Sequence, residues 1–111
     1  MTKVPIDLIL LIRPASSYTF GSVAEHLIKD VMPRYFSLLP AGGTLWYSEV
    51  LLAAVTTPGV RRARLVRLSR STAPGGVPPE KLDFSPEEIP VLGHVEVEID
   101  PEPTRTPFPG T

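Results

Sequence analysis

Aliphatic residues alternate along the first segment of the chain, residues 4–13. One set falls at even positions, namely Ile6, Leu8, Leu10 and Ile12. A period of two places these side chains on one face of a β-strand. Ile9 and Leu11 lie on the other face, so we expect both sides of this strand to be covered in part. Pro14 ends the strand, because proline has no backbone N–H to donate.

The next periodic segment, residues 22–39, has the spacing of an α-helix. Its apolar positions recur every three or four residues: Val23, Ala24, Leu27, Ile28, Val31, Tyr35 and Leu38. Ser22 and Glu25 have the spacing of a capping box, so we predict that the helix begins there. Pro33 removes the hydrogen bond to the Lys29 carbonyl. Because the apolar stripe continues beyond Pro33, we predict a kink rather than an end.

A series of turn and helix signals follows in residues 39–60, LPAGGTLWYSEVLLAAVTTPGV. Proline and glycine at 40–43 predict a turn, and residues 44–47 follow as an extended segment. Ser48 suits the N-cap of a short helix that runs to about Thr56, and Pro58-Gly59 ends it. This order of signals is more specific than anything else in the chain, and it contains few residue types that a catalyst needs.

Two further strands are predicted in the second half of the chain. Residues 60–69 contain four arginines, at positions 61, 62, 64 and 67, and residues 93–100 alternate valine or isoleucine with acidic residues. Opposite charges on paired strands stabilise a sheet by roughly 0.2–1 kcal/mol per pair, so we predict that these two strands pair antiparallel as a charge ladder. Residues 71–88, rich in proline, glycine and serine, predict a long loop.

These elements predict a small α+β domain over residues 1–100 and a proline-rich, extended tail over residues 101–111. The predicted sheet has three strands, near residues 4–13, 60–69 and 93–100, and is mainly antiparallel. Two helices pack on one of its faces, and the long Pro/Gly loop connects the last two strands.

Composition narrows the classes of function. The 111 residues have a formal net charge of −1, so the overall field favours neither nucleic acid nor an anionic membrane. The chain has no cysteine, which excludes disulfides, thiolate metal sites and a cysteine nucleophile. The longest aliphatic run, residues 8–12, is far shorter than the roughly 20 residues that span a bilayer. The N-terminus lacks the pattern of a signal peptide.

The remaining polar residues lie outside recognisable catalytic motifs. His26 falls on the polar helix face and His94 at a strand start, and we interpret both as surface residues. No serine lies in a nucleophile elbow, and Gly42-Gly43 lacks the Lys-Ser/Thr of a phosphate loop. We therefore expect no enzyme activity, no metal site and no cofactor.

Residues 39–60 resemble the C-terminal region of baseplate J-like proteins, which are wedge components of contractile phage tails and related injection machines. The matching residues are Leu39, Pro40, Gly42, Gly43, Thr44, Leu45, Ser48, Pro58, Gly59 and Val60. A second motif of that family, similar to Glu-x-Pro-x-Leu-Gly before a final strand, matches residues 88–93. The resemblance spans residues 6–100. Members of the family are usually much longer, and the expectation is that this chain is either a truncated form or a stand-alone version of their C-terminal domain.

This resemblance implies a structural protein of a phage-tail-like baseplate, without catalytic residues or cofactor, that acts through protein–protein contacts. The implied partners are other baseplate or tail subunits, and self-association into a homo-oligomer is a further option. Neither a membrane nor nucleic acid is expected as a partner. The implied location is the baseplate of a virion or tail-like particle, and the cytoplasm during assembly.

The residues that we expect at such contacts are aromatic or basic: Trp46, Tyr47, Arg61, Arg62, Arg64, Arg67, Phe84 and Phe108. The alternative is a small module that binds nucleic acid or another anion through the arginine-rich strand. We favour the charge ladder because the net charge is close to zero. Deletion of residues 101–111 is expected to leave the fold intact and to weaken assembly.

Overall fold

The computed structural model describes residues 1–74 and 76–101, and it shows an α+β fold. The strands are β1 (Thr2–Pro14), β2 (Thr44–Trp46), β3 (Val60–Arg70), β4 (Lys81–Asp83) and β5 (Glu88–Ile99). The helices are α1 (Phe20–His26), a π-helical segment (Leu27–Val31), α2 (Met32–Ser37) and α3 (Tyr47–Val55). The three strands predicted from the sequence are present as β1, β3 and β5.

The main sheet has three strands in the order β3-β1-β5. β1 pairs antiparallel with β3 and parallel with β5, so the sheet is mixed and not mainly antiparallel as predicted. The predicted pairing of the arginine-rich strand with the acidic strand is wrong, because β1 lies between them. The most apolar strand takes the centre, and the two charged strands take the edges, where long side chains reach water.

Even-numbered side chains of β1 form the centre of the hydrophobic core. Ile6, Leu8, Leu10 and Ile12 are 0% exposed. The core joins them to apolar residues of the helices and of β3, including Val23, Leu27, Met32, Phe36, Val50, Ala54, Ala63, Leu65 and Leu68. We call this side of the sheet the covered face.

The first helical stretch begins earlier than predicted and changes its winding ahead of Pro33. Its N-cap is Thr19 and not Ser22, and the Thr19 hydroxyl accepts a hydrogen bond from the Ser22 backbone N–H. The Met32 N–H donates to the Leu27 carbonyl, five residues back. Proline has no N–H and crowds the carbonyl four residues earlier. The wider π-helical turns accommodate this proline and let the apolar stripe continue.

Residues 40–60 fold in the predicted order of turn, extended segment, helix and turn. Gly42 has a φ of 71° in the first turn and Gly59 a φ of 92° in the second, a conformation that residues with a Cβ rarely adopt. A Cβ at Gly59 would also lie 2.6 Å from the ring of Tyr18. The N-cap of α3 is Trp46 and not the predicted Ser48, because the helix already begins at Tyr47.

The segment predicted as a long loop contains β4, which pairs with β2 in a second, two-stranded sheet. Arg70, at the end of β3, holds this small sheet in place. Its Nη2 donates to the Asp83 carbonyl at 2.9 Å, and its guanidinium carbon lies 4.8 Å from the centroid of the Phe84 ring. With three residues, β4 is too short to show a hydrophobic alternation in the sequence.

Candidate protein-contact surfaces

The side of the main sheet opposite the covered face carries charged columns on its two edge strands. Two rows of Cα partners cross the three strands: Arg67–Ile9–Glu96 and Arg64–Leu11–Glu98. Partners in a sheet point to the same side, so each row is basic, aliphatic and acidic in turn. Ile9 and Leu11 are partly exposed, unlike the even-numbered residues of β1. We call this side of the sheet the open face.

A β-bulge in β3 places Arg64 and Arg67 on the same face. The register of β1 with β3 shifts between Ile9 and Leu10, and Val66 is the extra residue on β3. Strict alternation would put positions 64 and 67 on opposite sides, and the extra residue corrects this. The same shift sends both Leu65 and Leu68 into the core, where they are 3% and 1% exposed.

Asp100 lies among arginines at one end of the open face and is 2% exposed. Arg64 Nη2 lies 2.9 Å from Asp100 Oδ1, and Arg62 Nε lies 3.5 Å from Asp100 Oδ2. The hydrogen bond from Arg64, together with the charges of Arg62 and Arg13, holds the pKa of Asp100 below its usual range. Arg13 Nε is buried and has no hydrogen-bond partner among the described residues. Three arginines thus share one carboxylate, and this corner keeps a positive charge.

A second carboxylate, Asp7, links β1 to β5 where their register shifts. Asp7 Oδ1 accepts hydrogen bonds from the Ser71 hydroxyl at 2.5 Å and from the His94 backbone N–H at 2.9 Å. Arg67 Nη2 lies 3.9 Å from Asp7 Oδ2. The Ser71 hydrogen bond, followed by that from His94, lowers the pKa of Asp7. Gly93 leaves room for this carboxylate, because a Cβ there would lie 2.8 Å from Asp7 Oδ1.

The other edge of the open face holds two neighbouring glutamates, Glu96 and Glu98. A hydrogen bond with Glu96 and the negative charge of that residue raise the pKa of Glu98, while the bond from Glu98 and then that from His94 lower the pKa of Glu96. His94 Nε2 lies 3.7 Å from Glu96 Oε1. The two carboxylates therefore crowd each other on β5, while the arginines lie about two strand spacings away, or about 10 Å.

The aromatic pair predicted as a contact site divides into one accessible and one structural residue. Trp46 is 37% exposed, and Lys81 Nζ lies 5.4 Å from the centroid of a Trp46 ring. Tyr47 is partly buried, and its hydroxyl donates to the Leu65 carbonyl at 3.2 Å. Trp46 is available to a partner, whereas Tyr47 fastens α3 to β3 beside the bulge.

Three other predicted contact residues have different positions. Phe84 is 6% exposed and belongs to the core. Arg61 is exposed at a second register shift between β1 and β3, apart from the column of Arg64 and Arg67. Phe108 lies outside the described residues.

An apolar groove lies between α2 and α3, and it was not predicted from the sequence. The groove has a volume of about 480 Å³ and is lined by Tyr35, Leu38, Leu39, Glu49, Leu52, Ala53 and Thr56. Leu38 is 77% exposed and Leu52 is 58% exposed. Burial, together with the Glu49 carboxylate, raises the pKa of Tyr35. The adjacent leucines 51 and 52 were the available signal, because a short helix cannot turn both toward one core.

Neither protein-family models nor curated protein sequences match this chain. Across residues 1–74 and 76–101, no group of three or more His, Asp or Glu side chains is arranged to hold a metal ion. The helices in that part of the chain are all too short or too polar to cross a membrane.

Proposed function

We propose that this protein is a structural component of a phage-tail-like baseplate, in the wedge of a contractile tail or injection system, and that it acts through protein–protein contacts. The observation that carries the proposal is that the two motifs of the family resemblance meet in space. The Gly42 N–H, in the first motif, donates to the carbonyl of Glu88, in the second, at 2.9 Å. The Phe84 N–H donates to the Gly43 carbonyl at 3.1 Å and holds the same junction.

Of the glycines in the first motif, Gly42 is the one that this junction requires. Gly42 has a positive φ, and a Cβ there would lie 3.0 Å from the Cα of Pro86. A side chain at this position would push the turn away from the segment that leads into β5. The residues of the two motifs therefore serve one local structure, and this supports the proposal that the motifs belong together in one domain.

We further propose that both the first helical stretch and α3 pack on the covered face and leave the open face for contacts. Buried residues of each helical element share the core with the even-numbered side chains of β1. The partner subunits then have two surfaces to contact, the open face and the groove between α2 and α3. Exposed leucines such as Leu38 and Leu52 suit a neighbouring subunit, because apolar patches mark interaction sites.

The alternative of an anion-binding module has less support. Asp100 pairs with Arg62 and Arg64, and Asp7 pairs with Arg67. A phosphate would have to compete with these carboxylates for the guanidinium groups. The arginine-rich strand is thus partly neutralised by its own chain, which weakens the attraction that binding to nucleic acid requires.

The experiment that tests the proposal is incorporation into particles. An affinity-tagged chain is produced in the cell that naturally encodes it, and contractile particles are purified on a density gradient. We expect the tagged chain to sediment with assembled particles and gold-labelled antibody to mark their baseplate end. Recovery of the chain only among free proteins contradicts the proposal.

A pair of variants tests the groove within the same experiment. Leu52→Asp places a charge in the groove between α2 and α3, and Lys29→Asp places the same side chain on the π-helical segment at a site that is 72% exposed. We expect Leu52→Asp to lower incorporation about tenfold, as the loss of a well-packed contact does, and Lys29→Asp to leave it unchanged. Equal effects of the two substitutions exclude the groove as a contact surface.

A further inference from the structure

The charges of the open face are segregated and only partly neutralised within one chain. Arg64 and Arg67 lie on one edge strand, Glu96 and Glu98 on the other, and the aliphatic side chains of β1 lie between them. The arginines pair with Asp100 and Asp7. The two glutamates of β5 lie beside each other, with His94 Nε2 3.7 Å from Glu96 Oε1. A surface with one basic edge, one acidic edge and the aliphatic Ile9 and Leu11 between them is complementary to a rotated copy of itself.

We propose that two copies of this chain associate open face to open face. They are related by a twofold axis that lies between the two sheets and runs parallel to β1. Rotation about this axis places β3 of one copy over β5 of the other. Arg67, which also pairs with Asp7 of its own chain, then faces Glu96 of the second copy. Arg64, which also pairs with Asp100, faces Glu98 of the second copy. Ile9 and Leu11 each meet their own counterpart at the centre. Asp7 and Arg13 of β1 also come close to their counterparts, and within each chain Arg67 and Asp100 offset their charges. This inference rests on the geometry of the sheet and does not depend on the baseplate proposal.

The charge pattern selects this orientation over the other symmetric one. A twofold axis across the strands would place β3 over β3 and β5 over β5. Arginine would then face arginine, and glutamate would face glutamate, and such juxtaposition of like charges suppresses association. The axis along β1 is the arrangement that opposes unlike charges at both edges. The crowded carboxylates of Glu96 and Glu98 gain cationic neighbours in it.

The size of the open face predicts a dimer of modest strength. The three strands have 13, 11 and 12 residues. At about 3.3 Å per residue and about 4.8 Å between strands, they form a face of about 40 Å by 15 Å, or about 600 Å². A stable interface buries about 800 Å² on each partner. We therefore expect a dissociation constant in the micromolar range. It should depend markedly on salt concentration, because the ion pairs lie at the rim.

The first test is sedimentation velocity of the full chain across the micromolar range. We expect the dimer fraction to rise with protein concentration and to fall when sodium chloride is added. The double substitution Glu96→Lys and Glu98→Lys makes both edges basic and is expected to weaken the dimer about tenfold or more. Lys29→Glu, on the π-helical segment, is the matched control and is expected to leave the dimer unchanged.

Circular dichroism spectra show whether the charge-reversed chain is folded. If the double variant is unfolded, Glu98→Lys alone replaces it, because Glu98 is exposed. A chain that stays monomeric at every concentration overturns the proposal. A dimer that persists in a folded charge-reversed variant also overturns it, since that dimer would use another surface.

A cross-linking experiment tests the orientation. The chain has no cysteine, so Ile9→Cys introduces a single thiol on the proposed axis. Facing sheets pack about 10 Å apart, a distance that a short bismaleimide spans. We expect a cross-linked dimer from Ile9→Cys and none from Glu25→Cys on α1. Equal cross-linking at both positions, or cross-linking only at Glu25→Cys, contradicts the face-to-face arrangement. None of these outcomes bears on incorporation into particles, which is measured separately.

Discussion

The two faces of β1 differ in role although both contain leucine and isoleucine. On the covered face, Leu8 and Leu10 are 0% exposed and belong to the hydrophobic core. On the open face, Ile9 and Leu11 lie in register with arginines on one side and glutamates on the other. The residue type is the same, and the neighbours on the adjacent strands decide whether it stabilises the chain itself or forms part of a surface that is suited to a partner.

The largest effect on stability is expected at Leu10, and the adjacent Leu11 on the opposite face provides the comparison. Leu10→Ala leaves a cavity at the centre of the core and should lower the free energy of unfolding by about 3–5 kcal/mol. This is a large part of the roughly 5–15 kcal/mol that stabilises a typical domain. Leu11→Ala, the matched control, should cost about 1 kcal/mol or less because the side chain is partly exposed. Urea denaturation at low protein concentration measures both, and equal losses would falsify the contrast between the faces.

Added volume between β1 and β5 should give the next largest effect. Gly93→Ala places a methyl group 2.8 Å from both Asp7 Oδ1 and the Ser71 hydroxyl, and such overpacking costs about 1–3 kcal/mol. Gly21→Ala is the control, because a Cβ there meets nothing within 4 Å and alanine favours the helix by up to about 1 kcal/mol. The two variants should move the thermal midpoint in opposite directions. A Gly93→Ala chain as stable as the wild type would show that the side chains of Asp7 and Ser71 move aside at little cost in free energy.

Most of the elements, though not β4, could be predicted from the sequence, but the arrangement of the strands could not. β1 and β5 show clear alternation, and the segment around α3 has turn residues at both ends, so local patterns locate these elements. Strand order depends on contacts between distant residues. The arginines of β3 and the acids of β5 suggest direct pairing, and nothing in either pattern reveals that β1 lies between them.

The sites on the open face were found in part. The sequence places Asp100 on the strand of charge opposite to the arginines, but the role of Arg13 and the cluster around Asp100 were not predicted, because the residues that surround Asp100 come from two other strands. The sequence did contain one signal for the bulge. Leu65 and Val66 are consecutive apolar residues followed by Arg67 and Leu68, which breaks strict alternation. The groove between α2 and α3 depends on how two helices meet, which local periodicity does not specify.

Substitution of Asp7 tests whether side chains on the open face also stabilise the fold. Its pKa is lowered from the ordinary 3.8, so the folded chain holds this carboxyl ionised more strongly than the unfolded chain does. The resulting stability is present above pH 3.8 and is lost as the pH falls through the lowered pKa. Asp7→Asn should therefore cost about 1–2 kcal/mol at pH 7.

The pH profile separates the charge of Asp7 from its shape. The stability difference between wild type and Asp7→Asn should shrink as the pH falls below 3.8 and close below the pKa of the folded state. Glu25→Gln, at a side chain that is 67% exposed, is the control at pH 7 and should change the free energy of unfolding by about 0.5 kcal/mol or less. Urea denaturation at a series of pH values from neutral to acidic gives both curves. A difference that stays constant down to the lowest pH would assign the effect to packing.

The smallest effect is expected at the contact between α3 and β3, where the two faces are coupled. Tyr47→Phe removes one hydrogen bond to the Leu65 carbonyl and should cost about 0.5–1.5 kcal/mol. Trp46→Phe is the neighbouring control, and at a partly exposed site it should change stability by about 0.5 kcal/mol or less. The Leu65 carbonyl lies beside the bulge residue Val66, which sets Arg64 and Arg67 on the same side. Hydrogen exchange should therefore accelerate in β3 around position 66 in Tyr47→Phe but not in Trp46→Phe. Unchanged exchange there would show that the bulge is held by the pairing of β1 with β3 alone.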